Sequence, residues 1–223
     1  MDLSNIDEKI TAYLRDENEQ KDSSWWDDRT IGEYHVSDAT KCPRKAYWNI
    51  TDRKKPDGDS LRYFKLGHDA EDFIERIIKQ MNNNILNSYR FDMKLHPSGI
   101  VVKGETDLYE VDENGEIVDI IEIKSTGNLY YSKKEPKEYH VLQLQAYMGL
   151  LDVHSAHILY IDRSTYKTCY HDIDFDADIF DDFSKRIFEL DKYLREGIVP
   201  PKDPQADWEC DYCDYKKECD KHE

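Results

Sequence analysis

The stretch IVVKGETDLYEVDENGEIVDIIEIKST, residues 100–126, decides the fold. Two runs rich in Val and Ile are separated there by Asn114 and Gly115. An Asn-Gly pair between alternating apolar residues is typical of a β-hairpin whose two loop residues both have positive φ. We therefore predict two antiparallel strands joined at this pair.

A two-residue loop also fixes the register of the two strands. Side chains that face each other across such a ladder lie about 4.5–5.5 Å apart on one side of the sheet. The predicted facing pairs are Asp107 with Glu122, Glu105 with Lys124, Tyr109 with Ile120, and Val111 with Val118. The predicted core face consists of Val102, Thr106, Leu108, Ile121 and Ile123. A bulge would change this register.

Asp107 and Glu122 bring two carboxylates together in the predicted register. The two charges repel each other unless something positive lies between them. The positive group is either the ammonium of Lys124 or a divalent cation, and hard oxygen ligands of this kind suit Mg²⁺ or Mn²⁺. The alternative is an ordinary surface ladder of acidic residues and lysine, which contributes little to stability.

The order Asp107, Glu122, Ile123, Lys124 has the form D-x(n)-E-x-K. It resembles the core of the PD-(D/E)XK nuclease superfamily, and Gly104 followed by Asp107 resembles the G-x-x-D form of the RecB-like members. The resemblance implies that Asp107, Glu122 and the Ile123 carbonyl hold a catalytic metal. It also implies that Lys124 orients a water or stabilises the transition state of phosphodiester hydrolysis.

A long helix predicted over 59–81 supplies a further candidate ligand. Gly67 followed by Glu71 resembles the first RecB-like motif, in which a helical His or Glu completes the metal site. His68 and Glu71 lie one turn apart and share a face of the helix. Both therefore remain candidate metal ligands.

A second helix predicted over 138–151 carries Gln143 and Tyr147 on one face. The pair resembles the fourth RecB-like motif. The resemblance implies that these two residues position the nucleic acid or Lys124. From the residues alone, the alternative is a glutamine at a helix–sheet contact and a tyrosine in the core.

The remaining elements follow from apolar periodicity and turn residues. They are helices over 3–18 and 177–196, and a second hairpin over 156–162 and 166–173 that extends the sheet. Ser37 is the predicted N-cap of a short helix, and Pro43 marks either a break or a fresh first turn. Trp25 and Trp26 are interpreted as packing anchors.

The C-terminal stretch DWECDYCDYKKECDKHE is too poor in apolar residues to fold on its own core, so it needs a staple. Cys210, Cys213 and Cys219 offer three thiolates, and a metal is the better interpretation in a reducing compartment. His222 as fourth ligand gives a zinc site. Cys42 as fourth ligand gives the four-cysteine set of an iron–sulfur cluster.

Cys42 in its Cys-Pro-Arg-Lys context, followed at the C-terminus by Cys210, Cys213 and Cys219, resembles the iron–sulfur RecB-like nucleases. That group includes CRISPR-associated protein four, which the chain resembles most, and AddB-type nuclease domains. The resemblance implies a structural [4Fe–4S] cluster that clamps the segment around Cys42 to the C-terminal tail. It also implies an α/β restriction-endonuclease-like fold, with a mixed central sheet flanked by helices and a cysteine-ligated cap.

We accordingly divide the chain into an N-terminal helical segment (1–36), a nuclease core (37–198) and a cysteine cluster (199–223). The first twenty residues lack an apolar signal segment, and the chain contains no long apolar run, so we expect a cytoplasmic protein without a membrane span. The net charge of −17 is unusual for a protein that binds nucleic acid. It suggests that a partner supplies part of the grip on DNA.

The expected function is metal-dependent hydrolysis of single-stranded DNA or of DNA ends, in CRISPR spacer acquisition or in phage or host recombination. The sequence contains no helicase P-loop, so a helicase or integrase partner would be a separate chain. Two alternatives remain. One is a weakly catalytic adaptor that binds DNA ends within a larger complex, and the other is a zinc-stapled interaction module.

Overall fold

The structure is a computed structural model that describes residues 4–20 and 30–222. Trp25 and Trp26 lie outside the described residues. The helices, in chain order, are α1 (Ile6–Gln20), α2 (Val36–Ala39), α3 (Pro43–Thr51), α4 (Gly58–Met81), α5 (Leu129–Ser132), α6 (Glu138–Leu151), α7 (Ala177–Glu196) and α8 (Lys216–Cys219). Short 3₁₀ turns cover Asp207–Cys210 and Asp220–His222.

The strands are β1 (Glu33–His35), β2 (Ile85–Leu95), β3 (Ile100–Val111), β4 (Ile117–Thr126), β5 (Ser155–Asp162) and β6 (Thr168–Asp174). They form one sheet in the order β1-β3-β4-β5-β6, with β2 paired to β3. The pairs β1–β3 and β4–β5 are parallel and the others are antiparallel. The mixed α/β sheet expected from the sequence is therefore confirmed.

The predicted helices over 59–81, 138–151 and 177–196 correspond closely to α4, α6 and α7. Pro43 occupies the first turn of α3, which is the second of the two predicted possibilities. The predicted cap at Ser37 is wrong, because α2 begins at Val36 and its N-cap is His35. Among the described residues, no helix is both long enough and apolar enough to cross a membrane.

The predicted hairpin forms, but with a longer loop and a bulge. Only Gly115 of the loop pair has positive φ (84°), and its N–H donates to the Asp112 carbonyl. A register shift next to Val111 pairs that residue with Ile117, so the predicted Val111–Val118 pair is wrong. Tyr109 faces Ile120 as predicted.

Strand β3 is shared by several partners, and this opens a fork in the sheet. Strand β2 runs along most of one edge of β3. Because a strand has only two edges, β1 and β4 must share the other. Strand β1 pairs with 101–103 and β4 pairs with 108–111. The segment of β3 between those two ranges therefore faces a gap that neither strand fills.

Helices cover both faces of the sheet. The larger apolar cluster combines β4 and β5 with α6 and α7, and includes Ile120, Ile158 and Met148. The smaller cluster combines Ala70 of α4 with Leu108 and Ile123. Val102 was predicted on the same face as Leu108 but packs in the larger cluster, so the predicted core face is divided between the two clusters.

Candidate active site

Asp107 lies at the fork between β3 and β4. The ladder ends at Leu108–Ile121, one position short of the predicted Asp107–Glu122 pair. Beyond that point, the Asp107 Oδ2 atom accepts a hydrogen bond from the Ile123 backbone N–H at 2.6 Å. The carboxylate thus takes the place of a strand carbonyl. Burial raises the pKa of Asp107, and Lys124 and the Ile123 N–H oppose that shift.

Glu122 lies on the face of β4 that α6 covers. Its side chain is almost fully buried, and its Oε1 atom accepts hydrogen bonds from Lys124 Nζ (2.5 Å) and Gln143 Nε2 (2.8 Å). The Oε2 atom is buried and has no hydrogen-bond partner among the residues that the structure describes. Burial, reinforced by the charge of Asp107, raises the pKa of Glu122 to about 8. The charged form of this buried carboxylate would be stabilised by a cation bound at the site.

The ammonium group of Lys124 brings a positive charge to this site. Burial disfavours its charged form, but Glu122 and Asp107 outweigh burial and hold the pKa of Lys124 above its ordinary value. Its side chain remains 21% exposed. The predicted Glu105–Lys124 pair is wrong, because the β3–β4 ladder ends at Leu108–Ile121. Glu105 instead forms an ion pair with Arg90 of β2 at 3.1 Å.

Gln143 and Tyr147 extend this network along α6. Gln143 Nε2 donates to Glu122 and also to the Tyr147 hydroxyl, the latter at 2.8 Å. The Tyr147 ring packs edge-on against Phe91, with ring centroids 5.8 Å apart. A Cβ atom at Gly104 would lie only 2.4 Å from the Phe91 ring and 3.0 Å from Tyr147. Glycine is needed at position 104 so that both rings can pack against β3.

Helix α4 brings Glu71 towards this site. A Cβ atom at Gly67 would lie 2.9 Å from the Ser125 Oγ, so glycine lets α4 approach β4 closely. One turn later, burial and the charge of Asp107 raise the pKa of Glu71, and Lys124 and hydrogen bonds from Ser125 oppose the shift. Glu71 thus belongs to the same electrostatic cluster as Asp107.

The structure does not bring His68 to the same place. It is an exposed residue in a groove between α1 and α4, together with Leu14 and Phe64. A glutamate that the sequence did not single out lies nearer. Burial, followed by the charge of Asp107, raises the pKa of Glu75 to about 7. Its position four residues after Glu71 on one helix is the signal that could have identified it.

We use the name acidic pocket for Glu71, Asp107, Glu122 and Lys124. Within residues 4–20 and 30–222, no three His, Cys, Asp or Glu side chains are arranged as a closed set of metal ligands. The donor chemistry nevertheless fits a hard divalent cation, because the carboxylates influence one another and Glu122 Oε2 lacks a partner. The Ile123 N–H points into the fork, and within a strand the carbonyl of that residue points to the same edge.

A second buried network borders Lys124 at the start of α6. The Tyr160 hydroxyl accepts a hydrogen bond from the Lys137 backbone N–H at 3.0 Å and lies 2.9 Å from His140 Nδ1. Burial, with smaller contributions from Lys124 and Lys137, lowers the pKa of His140 to about 2. The imidazole is therefore neutral, and its Nδ1 atom shares a hydrogen bond with the Tyr160 hydroxyl. These residues carried no recognisable motif in the sequence.

The four predicted cluster cysteines line one cavity of about 50 Å³, the cysteine cavity: Cys42, Cys210, Cys213 and Cys219. Burial raises the pKa of Cys210 and Cys213, and the proximity of the Cys42 thiol adds to the shift. Arg44 donates to the Cys219 sulfur at 3.2 Å. His222 instead packs against the Trp48 ring, with centroids 5.9 Å apart.

Comparison with known proteins places this fold and site in a family. The model of the PD-(D/E)XK nuclease superfamily matches residues 68–220, more than half of the chain. The chain belongs to the PD-(D/E)XK nuclease superfamily. No curated protein matches it.

Two solved structures share the fold. The chain in the crystal structure of SSO0001 is 20% identical in sequence, and the alignment covers 96% of this chain and 95% of that chain, with a TM-score of 0.63. An alkaline exonuclease from Laribacter hongkongensis, LHK-Exo, is 16% identical and covers 78% of this chain and 97% of its own, with a TM-score of 0.51. At these identities the likeness concerns the fold alone.

Proposed function

We propose that the protein is a metal-dependent deoxyribonuclease that hydrolyses phosphodiester bonds in the acidic pocket. The observation that carries the proposal is the arrangement around Glu122. One oxygen of this buried carboxylate is bound by Lys124 and Gln143, while the other has no partner within residues 4–20 and 30–222. Leaving a buried oxygen unsatisfied is costly, which favours a site completed by a ligand.

The proposed metal ligands are Asp107, Glu122, Glu71 and the Ile123 carbonyl. Glu71 is preferred over His68 because its pKa responds to Asp107 and Lys124, whereas His68 lies in the groove next to α1. A Mg²⁺ or Mn²⁺ ion at this site would lower the pKa of a water and offset negative charge on the phosphate.

The other groups of the pocket act on the substrate side. The Lys124 ammonium is held by Glu122 and remains partly exposed, so it can orient the attacking water or stabilise the charge of the transition state. Gln143 and Tyr147 are positioning residues, since Gln143 bridges Glu122 and the Tyr147 hydroxyl. The carboxylates of Asp107, Glu122 and Glu71 would place the metal before the substrate binds.

The test is DNA cleavage by the purified full chain with Mn²⁺ or Mg²⁺, on single-stranded and duplex substrates. Asp107→Asn keeps the shape of the side chain and removes its charge, and we expect it to abolish cleavage. Asp181→Asn, at an exposed position of α7, is the matched control and should cleave as the wild type does. Equal cleavage by Asp107→Asn would refute the proposed site.

The cysteine cavity is proposed to bind a structural [4Fe–4S] cluster. Four sulfur donors line it, with four basic side chains (Arg44, Lys45, Lys202 and Lys216) against two acidic ones (Glu209 and Asp220). This positive balance fits an anionic cluster. The test is an anaerobic absorption spectrum with iron and zinc analysis. About four irons per chain, lost in Cys42→Ala, are expected. About one zinc that survives Cys42→Ala would support His222 as a ligand instead.

A second candidate function is a weakly catalytic adaptor that binds DNA ends beside an integrase or helicase. The net charge of −17 favours it, because such a chain grips phosphates poorly on its own. DNA binding without cleavage by the wild type in Mn²⁺ would support the adaptor. Roles in CRISPR spacer acquisition or phage recombination are proposed only from the resemblance of the cysteine pattern.

A further inference from the structure

The segment that leaves β4 after the acidic pocket returns to that pocket at α6. It begins at Gly127, directly after the strand that carries Glu122 and Lys124. It ends at the start of α6, the helix whose Gln143 donates to Glu122 at 2.8 Å. Both ends of this segment therefore border the site of the proposed reaction.

Two tyrosines of this segment project from a fixed base. Tyr130 and Tyr131 are 59% and 71% exposed, and their rings meet edge-on with centroids 5.1 Å apart. The base of α5 is held by the Asn128 side chain, which accepts from the Tyr130 backbone N–H at 2.8 Å. The Ser132 carbonyl is bound by His171 at 2.6 Å. The rings are thus presented to solvent by an anchored turn.

The same segment carries more basic than acidic side chains, with Lys133, Lys134 and Lys137 against the exposed Glu135 and Glu138. Lys133, Lys134, Lys137 and Arg163 form no ion pair with a carboxylate in the part of the chain that the structure describes. The Lys134 ammonium lies 4.6 Å from the centre of the Tyr130 ring. The chain carries 48 acidic and 31 basic residues, so a group of cations without carboxylate partners is a notable local excess.

Arg163 extends this surface towards α4. Its backbone N–H donates to the Thr126 carbonyl at 3.0 Å, which fixes it at the end of β4. Its guanidinium lies 5.6 Å from the centre of the Tyr63 ring, and 3.3 Å from the position that a Cβ atom of Gly127 would take. Cations and exposed aromatic rings therefore continue across the end of the strand that bears Glu122.

We propose that Tyr130, Tyr131, Lys133 and Lys134, the tyrosine ledge, bind unpaired nucleotides of the DNA strand beside the acidic pocket. The inference rests on the proposed nuclease function and deepens it, because it defines the substrate as single-stranded at this position. Aromatic rings stack on bases whose faces are exposed, and lysines bind the phosphates between them. Bases inside a duplex offer no such faces.

The experiment measures binding of a labelled oligothymidylate of about ten nucleotides to the full chain, by fluorescence anisotropy without divalent cations. Tyr130→Ala combined with Tyr131→Ala should weaken binding about tenfold, since stacking on one base contributes about that factor. The corresponding Phe variants keep the rings and should bind like the wild type. Tyr13→Ala, at another exposed tyrosine on α1, is the matched control.

An abasic oligonucleotide of equal length isolates the stacking contribution. The wild type should bind it about tenfold more weakly, and the double Ala variant should lose nothing further. Unchanged binding of oligothymidylate by the double Ala variant would overturn the inference. The inference would also be overturned if the double Ala substitution weakened binding of the abasic strand as much as it weakened binding of oligothymidylate. Tighter binding of a blunt duplex than of the single strand by the wild type would overturn it as well.

Cleavage in Mn²⁺, measured in parallel, separates this inference from the proposed function. If the wild type cleaves DNA and the double Ala variant has the same KM on single strands, the ledge is refuted and the nuclease stands. If the wild type binds single strands through the ledge but never cleaves, the ledge is supported and the nuclease function is refuted.

Discussion

The acidic pocket and the cysteine cavity are held in place by different kinds of contact. The pocket is built on adjacent strands, and its groups bind one another directly, as in Lys124 with Glu122 and Ile123 with Asp107. The cavity joins distant parts of the chain through side chains, as where Arg44 donates to the Pro200 carbonyl at 3.0 Å. Changes in the pocket should therefore affect chemistry, and changes in the cavity should affect stability.

The tail that forms the cavity also packs on the core through side chains other than its cysteines. Tyr215 is fully buried, stacks on Trp48 with centroids 5.6 Å apart, and accepts the Lys54 backbone N–H. Lys54 also forms an ion pair with Glu218 at 2.8 Å. A metal in the cavity would therefore reinforce contacts that exist already, rather than create the only link between tail and core.

After the loss of cleavage expected for Asp107→Asn, the largest effect is expected from Lys124→Ala. Losing an electrostatic group at a reacting centre reduces the rate by about 10²- to 10³-fold. Because Lys124 opposes the rise in the pKa of Glu122, its removal should also shift the acidic limb of the pH–rate profile to higher pH. The measurement is kcat against pH in Mn²⁺, with Lys124→Arg as the variant that keeps the charge. A pH profile identical to the wild type's would contradict this role.

The next effect concerns the cavity and is expected in stability rather than in intrinsic chemistry. Because the proposed cluster would cross-link Cys42 to the tail, Cys42→Ala should lower the free energy of unfolding by about 2–4 kcal/mol, the range for a disulfide that closes a long loop. The measurement is anaerobic denaturant unfolding of the protein as purified. Cys169→Ala, at a half-buried cysteine of β6 outside the cavity, is the control. If both variants lose the same free energy of unfolding, the cavity does not cross-link the chain.

Much of the acidic pocket was predictable because its signal is local. Asp107, Glu122 and Lys124 flank a single turn, so the hairpin brings them to neighbouring strands even though the loop and register differ from the prediction. The choice between His68 and Glu71 was not predictable from spacing alone. It depends on the close approach of Gly67 to Ser125, which sets how α4 rotates against β4.

The fork and the strands β1 and β2 were not predictable from the sequence. Strand β2 buries Ile85, Phe91 and Leu95 but exposes the residues between them, so it lacks the apolar alternation that indicates a strand. Strand β1 is too short to give a pattern. The sharing of β3 between β1 and β4 depends on the tertiary fold. It explains why the Asp107 carboxylate accepts a hydrogen bond from the Ile123 backbone instead of facing Glu122.

A smaller effect is expected from Gly104→Ala, which links packing to the pocket. The new methyl group would lie 2.4 Å from the Phe91 ring and 3.0 Å from Tyr147, and such overpacking costs about 1–3 kcal/mol. Displacement of Tyr147 should also lower kcat, because its hydroxyl is bound by Gln143. Combining the change with Phe91→Leu should recover part of the stability. Without that recovery, the loss has a cause other than the clash.

The smallest effect is a pH dependence of stability from His157 on β5, which belongs to neither region. His157 lies between Asp119 (2.8 Å) and Asp172 (2.7 Å), and their hydrogen bonds raise its pKa to about 8. The stabilisation is complete below the unfolded pKa of about 6.5 and is lost as pH rises through about 8. Solvent screening at this partly exposed site limits it to about 1 kcal/mol. Unfolding of His157→Gln should lack this pH dependence, whereas His154→Gln should retain it, and a dependence that survives His157→Gln would assign it to another group.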